Sequence, residues 1–177
     1  MINITLKDGS KKSFSKGISV LDIAKSISEG FARNVISAKF NDIIIETTTC
    51  LDSDGSLELY TWEDENGKKA FWHSSSHILA QAIQELYERA KLTIGPAIDK
   101  GFYYDIDFGE KSISEKDFKN IESKMLEIAR GKHDFKMRSV NKTDALEFYL
   151  SEKNEYKVEL IENLTDGEIT FCDHSNF

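Results

Sequence analysis

The chain has 177 residues, of which 40% are apolar and 11% aromatic. That is enough apolar material for one large or two small cores, and the formal net charge of −8 opposes strong autonomous binding to nucleic acid, where affinity comes largely from Lys and Arg neutralising phosphate. No apolar run approaches the roughly 20 residues that span a bilayer, and the opening Met-Ile-Asn-Ile-Thr-Leu-Lys lacks the layout of a signal peptide. The expectation is a cytoplasmic protein with no membrane partner. Cys50 and Cys172 stand far apart and in no CxxC spacing, which excludes a disulfide framework and a four-thiolate zinc site.

Ile2 to Leu6 and Lys11 to Phe14 alternate apolar and polar residues around Lys7-Asp8-Gly9-Ser10. Asp-Gly is a strong hairpin turn because glycine tolerates positive φ. Ser19, three residues before Asp22, opens a helix that carries Val20, Ile23, Ala24 and Ile27 on one face and is expected to stop at Gly30. Val35 to Phe40 and Ile43 to Glu46 flank Asn41-Asp42 as a second strand pair, and Ser56 to Thr61 follows a turn-rich stretch as another strand. The order ββαβββ, one helix across a mixed sheet, predicts a ubiquitin-like β-grasp domain over residues 1–61.

The charged stretch that follows reads as a linker over residues 62–69. Ala70 to Ala90 is the strongest helix signal, with Ile78, Leu79, Ala82, Ile83 and Leu86 as its apolar stripe. Strands are expected at Leu92 to Ile94 and Phe102 to Ile106, joined across Gly95-Pro96 and Asp99-Lys100-Gly101. Ser114 with Asp117 opens a helix carried by Phe118, Ile121, Met125 and Ile128 and stopped at Gly131. Phe135 to Val140 reads as a strand, Asp144 to Ser151 and Tyr156 to Leu164 as helices, and Ile169 to Cys172 as a last strand. Residues 70–177 are therefore expected to form a second, α+β domain.

His73-Ser74-Ser75-Ser76-His77 places two imidazoles at i and i+4, one helical turn apart, where they can share a ligand. The pair points roughly opposite the centre of the apolar stripe, which weakens a core role and leaves surface imidazoles as the bland alternative. Ser74 stands where an HExxH metalloprotease has its Glu, so that chemistry lacks its general base. Two histidines cannot close a zinc site, but Cys172 and His174, two apart on a strand, would supply the remaining ligands if the fold gathered all four. Tyr103 and Tyr104 face opposite sides of their strand, Tyr104 sharing a side with Phe102 and Ile106. Lys157, on spacing alone, reads as a solvated surface residue. Arg130, Lys132, Lys136 and Arg138, set against Asp134, form the most basic run and the candidate for touching phosphate.

Taken together, His73 to Ala80, Gly95-Pro96, Gly101-Phe102-Tyr103-Tyr104-Asp105 and Tyr156-Lys157-Val158-Glu159-Leu160 resemble, in order and separation, the editing domain of bacterial-type threonyl-tRNA synthetases. The first 60 residues resemble the TGS domain that precedes it in that family. HxxxH is also similar to the editing domain of alanyl-tRNA synthetases and their free-standing relatives, but a β-grasp module in front favours the threonyl enzymes. The resemblance implies hydrolysis of the ester joining serine to the threonine tRNA. Serine lacks one methyl of threonine, and a methyl provides only ~1–3 kcal/mol of discrimination, so a second site that admits the smaller product is required. Carried over by motif, His73 and His77 would orient the ester or its attacking water, Tyr104 would help to position the substrate, and Lys157 would support the polar site.

In that family a Cys and a His in an Asp-x-Cys-Arg-Gly-Pro-His-like motif complete the cleft, and the sequence reaches Phe177 before any such motif. Cys172 and His174 do not stand in that context and do not inherit the role. The expectation is an editing domain truncated at its C-terminal end, feebly active or inactive by itself. No cofactor and no complete metal site are expected here, His73 and His77 being the possible ligands; the family's ATP, magnesium and zinc belong to an aminoacylation core outside this stretch. tRNA(Thr) is the implied partner, mainly through the full-length enzyme, as is a homodimer through that core. Two readings of other kinds stand beside this one: a stand-alone zinc-dependent aminoacyl-tRNA deacylase, and a non-catalytic module that docks on RNA or protein.

Overall fold

The alternation in the first 60 residues becomes a sheet in the computed structural model, which describes residues 1–165, 167 and 169–174. Strands β1 (Ile2–Leu6) and β2 (Lys11–Phe14) pair antiparallel around Gly9, whose φ of +82° is the left-handed conformation that the Asp-Gly turn requires. A two-residue strand, β3 (Ile18–Ser19), leads into helix α1 (Val20–Ile27), where the Ser19 hydroxyl accepts from the Asp22 N–H. Helix α2 (Glu29–Ala32) follows at once, then β4 (Ser37–Phe40), β5 (Ile43–Ile45), β6 (Cys50–Leu51) and β7 (Gly55–Tyr60). The five main strands run in the order β2-β1-β7-β4-β5, with β1 and β7 parallel and the other pairs antiparallel; β3 and β6 make a small separate pair.

Ile2 and Ile4 of β1, Ala38 of β4, Leu51 and Leu57 face Val20 and Ile23 of α1 to form one core. The β-grasp expectation is met. Two details differ. The first helix ends at Ser28, which is at once its C-cap and the N-cap of α2, so Gly30 lies inside a second helical turn rather than stopping the first. Ile27, expected on the buried face, is 42% exposed.

Helix α3 (Glu65–Leu86) begins earlier than the periodicity implied, so residues 65–69, read as linker, are helical, and it ends at Leu86 rather than Ala90. The division between the two compact units, Met1–Trp72 and His73–Phe177, falls within it. Beyond α3, β8 (Lys91–Leu92) pairs with β11 (Ile106–Asp107) and β9 (Ala97–Ile98) with β10 (Gly101–Phe102). Backbone bonds from Thr93 N to Asp105 O and from Asp105 N to Ile94 O join the two pairs into one interrupted hairpin. Phe102 to Ile106 is therefore not the continuous strand expected.

Helix α4 (Glu115–Arg130) starts on a Ser114/Asp117 capping box and ends at Gly131; its Phe118, placed on the apolar face from sequence, is 53% exposed. Strand β12 (Phe135–Ser139), helices α5 (Lys142–Ser151) and α6 (Glu155–Glu162) and strand β13 (Thr170–His174) complete the described chain. β12 and β13 pair antiparallel, Phe135 opposite His174 and Met137 opposite Cys172. Ala80 and Ile83 of α3, Leu92 and Ile121 make one core; Ala145, Ile161 and Ile169 make another. Among the described residues no helix is long and apolar enough to cross a membrane.

Leu57 is fully buried beneath α1, so Leu57→Ala should destabilise the first unit by about 2–5 kcal/mol, read from the midpoint of denaturant unfolding.

Candidate functional site

Helix α3 delivers His73 and His77 to one side, one turn apart. Ser76 is buried and its hydroxyl donates to the His73 carbonyl at 2.7 Å. The two Nε2 atoms lie 3.2 Å apart and the ring centroids 4.7 Å, with the planes nearly perpendicular. An N···N contact of that length is a hydrogen bond only when one ring carries its proton at Nε2 and the other presents a lone pair there. Two imidazolium ions cannot make it.

Burial keeps the pair uncharged. It lowers the pKa of His73 below the usual imidazole range, and it pushes His77 down to about 4, with the charge of Lys157, and of His73 and His174 whenever they are protonated, adding to the effect. At neutral pH both rings are therefore neutral, one a donor to the other.

Lys157 reaches this neighbourhood because the start of α6 is tied down three ways. Buried Asn154 accepts from the Lys157 N–H at 3.1 Å and donates to the Leu92 carbonyl at 2.9 Å. Tyr156 donates to Asp107 at 2.9 Å, and Lys91 pairs with Glu155 at 2.6 Å. The Lys157 ammonium lies over the Tyr149 ring, 5.9 Å from its centroid, and burial lowers its pKa. Sequence alone read this lysine as solvated; the fold half-buries it.

Tyr104 sits on the interrupted hairpin with its ring against Gly95. A Cβ at that glycine would stand 2.2 Å from the ring, so the close approach demands glycine. Burial, and then Tyr149, push the Tyr104 phenol up to about 12, so it is a neutral hydroxyl under ordinary conditions. The structure thus brings His73 and His77 into contact, places Lys157 where its charge acts on His77, and lays that ammonium over the ring of Tyr149.

Four further residues carry no local sequence signal for this position. Tyr149 lies beneath the Lys157 ammonium; Phe135 meets His77 at 6.2 Å and stacks on His174 at 4.1 Å; Gln81 bonds His174 at 2.7 Å. His174 is therefore engaged with Gln81, and among the described residues no group of three or more His, Cys, Asp or Glu side chains is disposed to hold a metal ion. The alternative site from His73, His77, Cys172 and His174 is not assembled. In the basic run, Arg138 is paired with Asp173 at 2.7 Å and lies over Phe171, while Arg130, Lys132 and Lys136 are exposed.

Two outcomes follow from this geometry. Gly95→Ala should displace the Tyr104 ring and destabilise the second unit by about 1–3 kcal/mol, visible in unfolding curves and in the aromatic NMR signals. The unfolded chain binds a proton at His77 near the ordinary value of 6.5, whereas the folded chain refuses it down to about 4. Stability from this group is complete above pH 6.5 and is lost as the pH falls through that window, by roughly 3 kcal/mol in total. A His77→Asn variant should show a correspondingly flatter decline of unfolding free energy with acidification; an identical slope contradicts the assignment.

Residues 2–61 match the TGS domain family. The whole chain aligns, at 63% identity, with the threonine–tRNA ligases of Flavobacterium psychrophilum and Flavobacterium johnsoniae, and at 48% with that of Cytophaga hutchinsonii. It spans 27% of the length of each of these relatives. The chain opens with a TGS domain and over its whole length matches the amino-terminal region of bacterial threonine–tRNA ligases.

Proposed function

We propose that this chain is the proofreading region of a threonine–tRNA ligase. On this reading the whole enzyme, in the cytoplasm, joins threonine to tRNA(Thr) with ATP, and the α+β unit hydrolyses serine wrongly attached to that tRNA. The observation that carries it is the neutral His73–His77 contact with the half-buried ammonium of Lys157 beside it.

Ester hydrolysis needs a water held against the carbonyl carbon, somewhere for charge to settle on the carbonyl oxygen, and a proton for the departing ribose oxygen. The water's oxygen forms the new bond to carbon as the bond from carbon to the ribose oxygen breaks. One proton of that water ends on the ribose hydroxyl. An imidazole whose pKa is about 4 is a weak base but a dependable hydrogen-bond acceptor at neutral pH, so His77 suits holding and aligning a water better than fully deprotonating it. Lys157, partly desolvated, offers a cation to a phosphate or to the developing oxyanion. Tyr104 offers a neutral hydroxyl to the substrate.

The net charge of −8 supports tRNA binding carried mostly by the rest of the enzyme, where ATP, magnesium, zinc and the contact of a homodimer are also assigned. In the longer protein, His73→Ala and His77→Ala should each slow hydrolysis of seryl-tRNA by about a hundredfold while threonine attachment continues at its normal rate. Unchanged hydrolysis in both variants contradicts the proposal.

A further inference from the structure

Gln81 and His174 stand 93 positions apart, yet both are buried, at 5% and 2% exposure, and bonded to each other. A buried amide and a buried imidazole have lost their water, so the bonds they make to each other fix their orientation. Gln81 Nε2 donates to Glu85 Oε1 at 2.8 Å. With its amino group committed to that carboxylate, Gln81 presents its oxygen to His174 Nδ1 at 2.7 Å. An amide oxygen only accepts, so His174 carries its proton on Nδ1 and leaves Nε2 bare.

The other side of His174 is equally constrained. Its ring stacks on Phe135 at 4.1 Å and 18°, in the register that pairs β12 with β13, and His133 meets it edge-on at 6.0 Å. The Phe135 ring in turn meets His77 at 6.2 Å. All four histidines of the chain thus lie in one series of ring contacts. Phe135 is a plate between an imidazole that is fixed and one that must keep its contact with His73.

We propose that Gln81 and His174 are positioning residues for the imidazole pair: Gln81 locks the tautomer of His174, and the His174–Phe135 stack holds the His77 ring in its contact with His73. The inference rests on the reading of that pair as the hydrolytic site. A His77 ring free to turn about its side-chain bonds would present its lone pair to no fixed point, and an attacking water held by it would lose its alignment.

Long-range proton–nitrogen NMR correlations of this chain at neutral pH report the tautomer of each imidazole directly. The unaltered protein should show His174 protonated at Nδ1, and His73 and His77 as complementary forms, one protonated at Nε2 and one not. Gln81→Met should release His174 into a mixture of tautomers and equalise the His73 and His77 signals. The double variant Gln81→Glu with Glu85→Gln keeps an acceptor facing Nδ1 and a donor behind it, and should restore both patterns. His174 protonated at Nε2 in the unaltered chain overturns the proposal whether or not the variants fold. So do unchanged His73 and His77 signals in a Gln81→Met variant that retains its circular dichroism. In the longer protein Gln81→Met should slow seryl-tRNA hydrolysis roughly tenfold or more, with recovery in the double variant. If the NMR pattern holds while both His73→Ala and Gln81→Met leave hydrolysis intact, the hydrolytic reading fails and the positioning stands.

Discussion

The site in the second unit depends on one hydrogen bond that two imidazolium ions cannot make. With Nε2 atoms 3.2 Å apart, protonating both rings replaces the bond by repulsion, and the surroundings keep the pair uncharged at neutral pH. They do this in two ways. Packing on His77 removes water that would stabilise an imidazolium, and the charge of Lys157 opposes a further positive charge there. The arrangement trades proton affinity for a defined tautomer and a defined lone pair. Aligning a nucleophile uses the second more than the first.

The scaffold around the pair shows the same economy. Helix α6 would place Lys157 loosely if its first turn were merely capped; instead Asn154 bonds both its own helix and β8, and the flanking Glu155 and Tyr156 each reach across to the hairpin. On the hairpin itself, Gly95 lets the Tyr104 ring lie against bare backbone. The cation at Lys157 is thereby held over the ring of Tyr149. Of the ties that position Lys157, the buried Asn154 bonds weigh more than the exposed Lys91–Glu155 ion pair, since solvated pairs contribute little.

Local chemistry made much of this legible. The Asp8-Gly9 and Asn41-Asp42 turns have the positive φ values their residue types invite, and Ser19 with Asp22 and Ser114 with Asp117 cap the helices they were expected to open. What escaped was set by contacts distant in sequence. Residues 65–69 look like linker in composition, yet Glu and Lys are good helix formers, and a Cβ at Gly67 would stand 1.9 Å from the Thr61 carbonyl, a contact no periodicity reveals. Phe102 to Ile106 alternates as a strand should, but the chain breaks its ladder where Tyr104 crosses Gly95. The imidazole pair was readable from spacing because i and i+4 is a local relation. Gln81, Phe135 and Tyr149 were not, and His174 was read only as a metal ligand, because only the fold brings β12, β13 and α5 to α3.

The chain matches the amino-terminal region of threonine–tRNA ligases, and within its second unit the two imidazoles touch. On the proposed reading the imidazole pair, the amine and the phenol surround a seryl ester. The most direct test is a crystal structure of the longer protein with a seryl adenosine in which an amide replaces the scissile ester. The account predicts the amide carbonyl within hydrogen-bonding reach, directly or through one water, of His73 or His77, with Lys157 and Tyr104 lining the same cleft. Density for the compound elsewhere, with the Nε2 contact of the two imidazoles facing empty solvent, would contradict it.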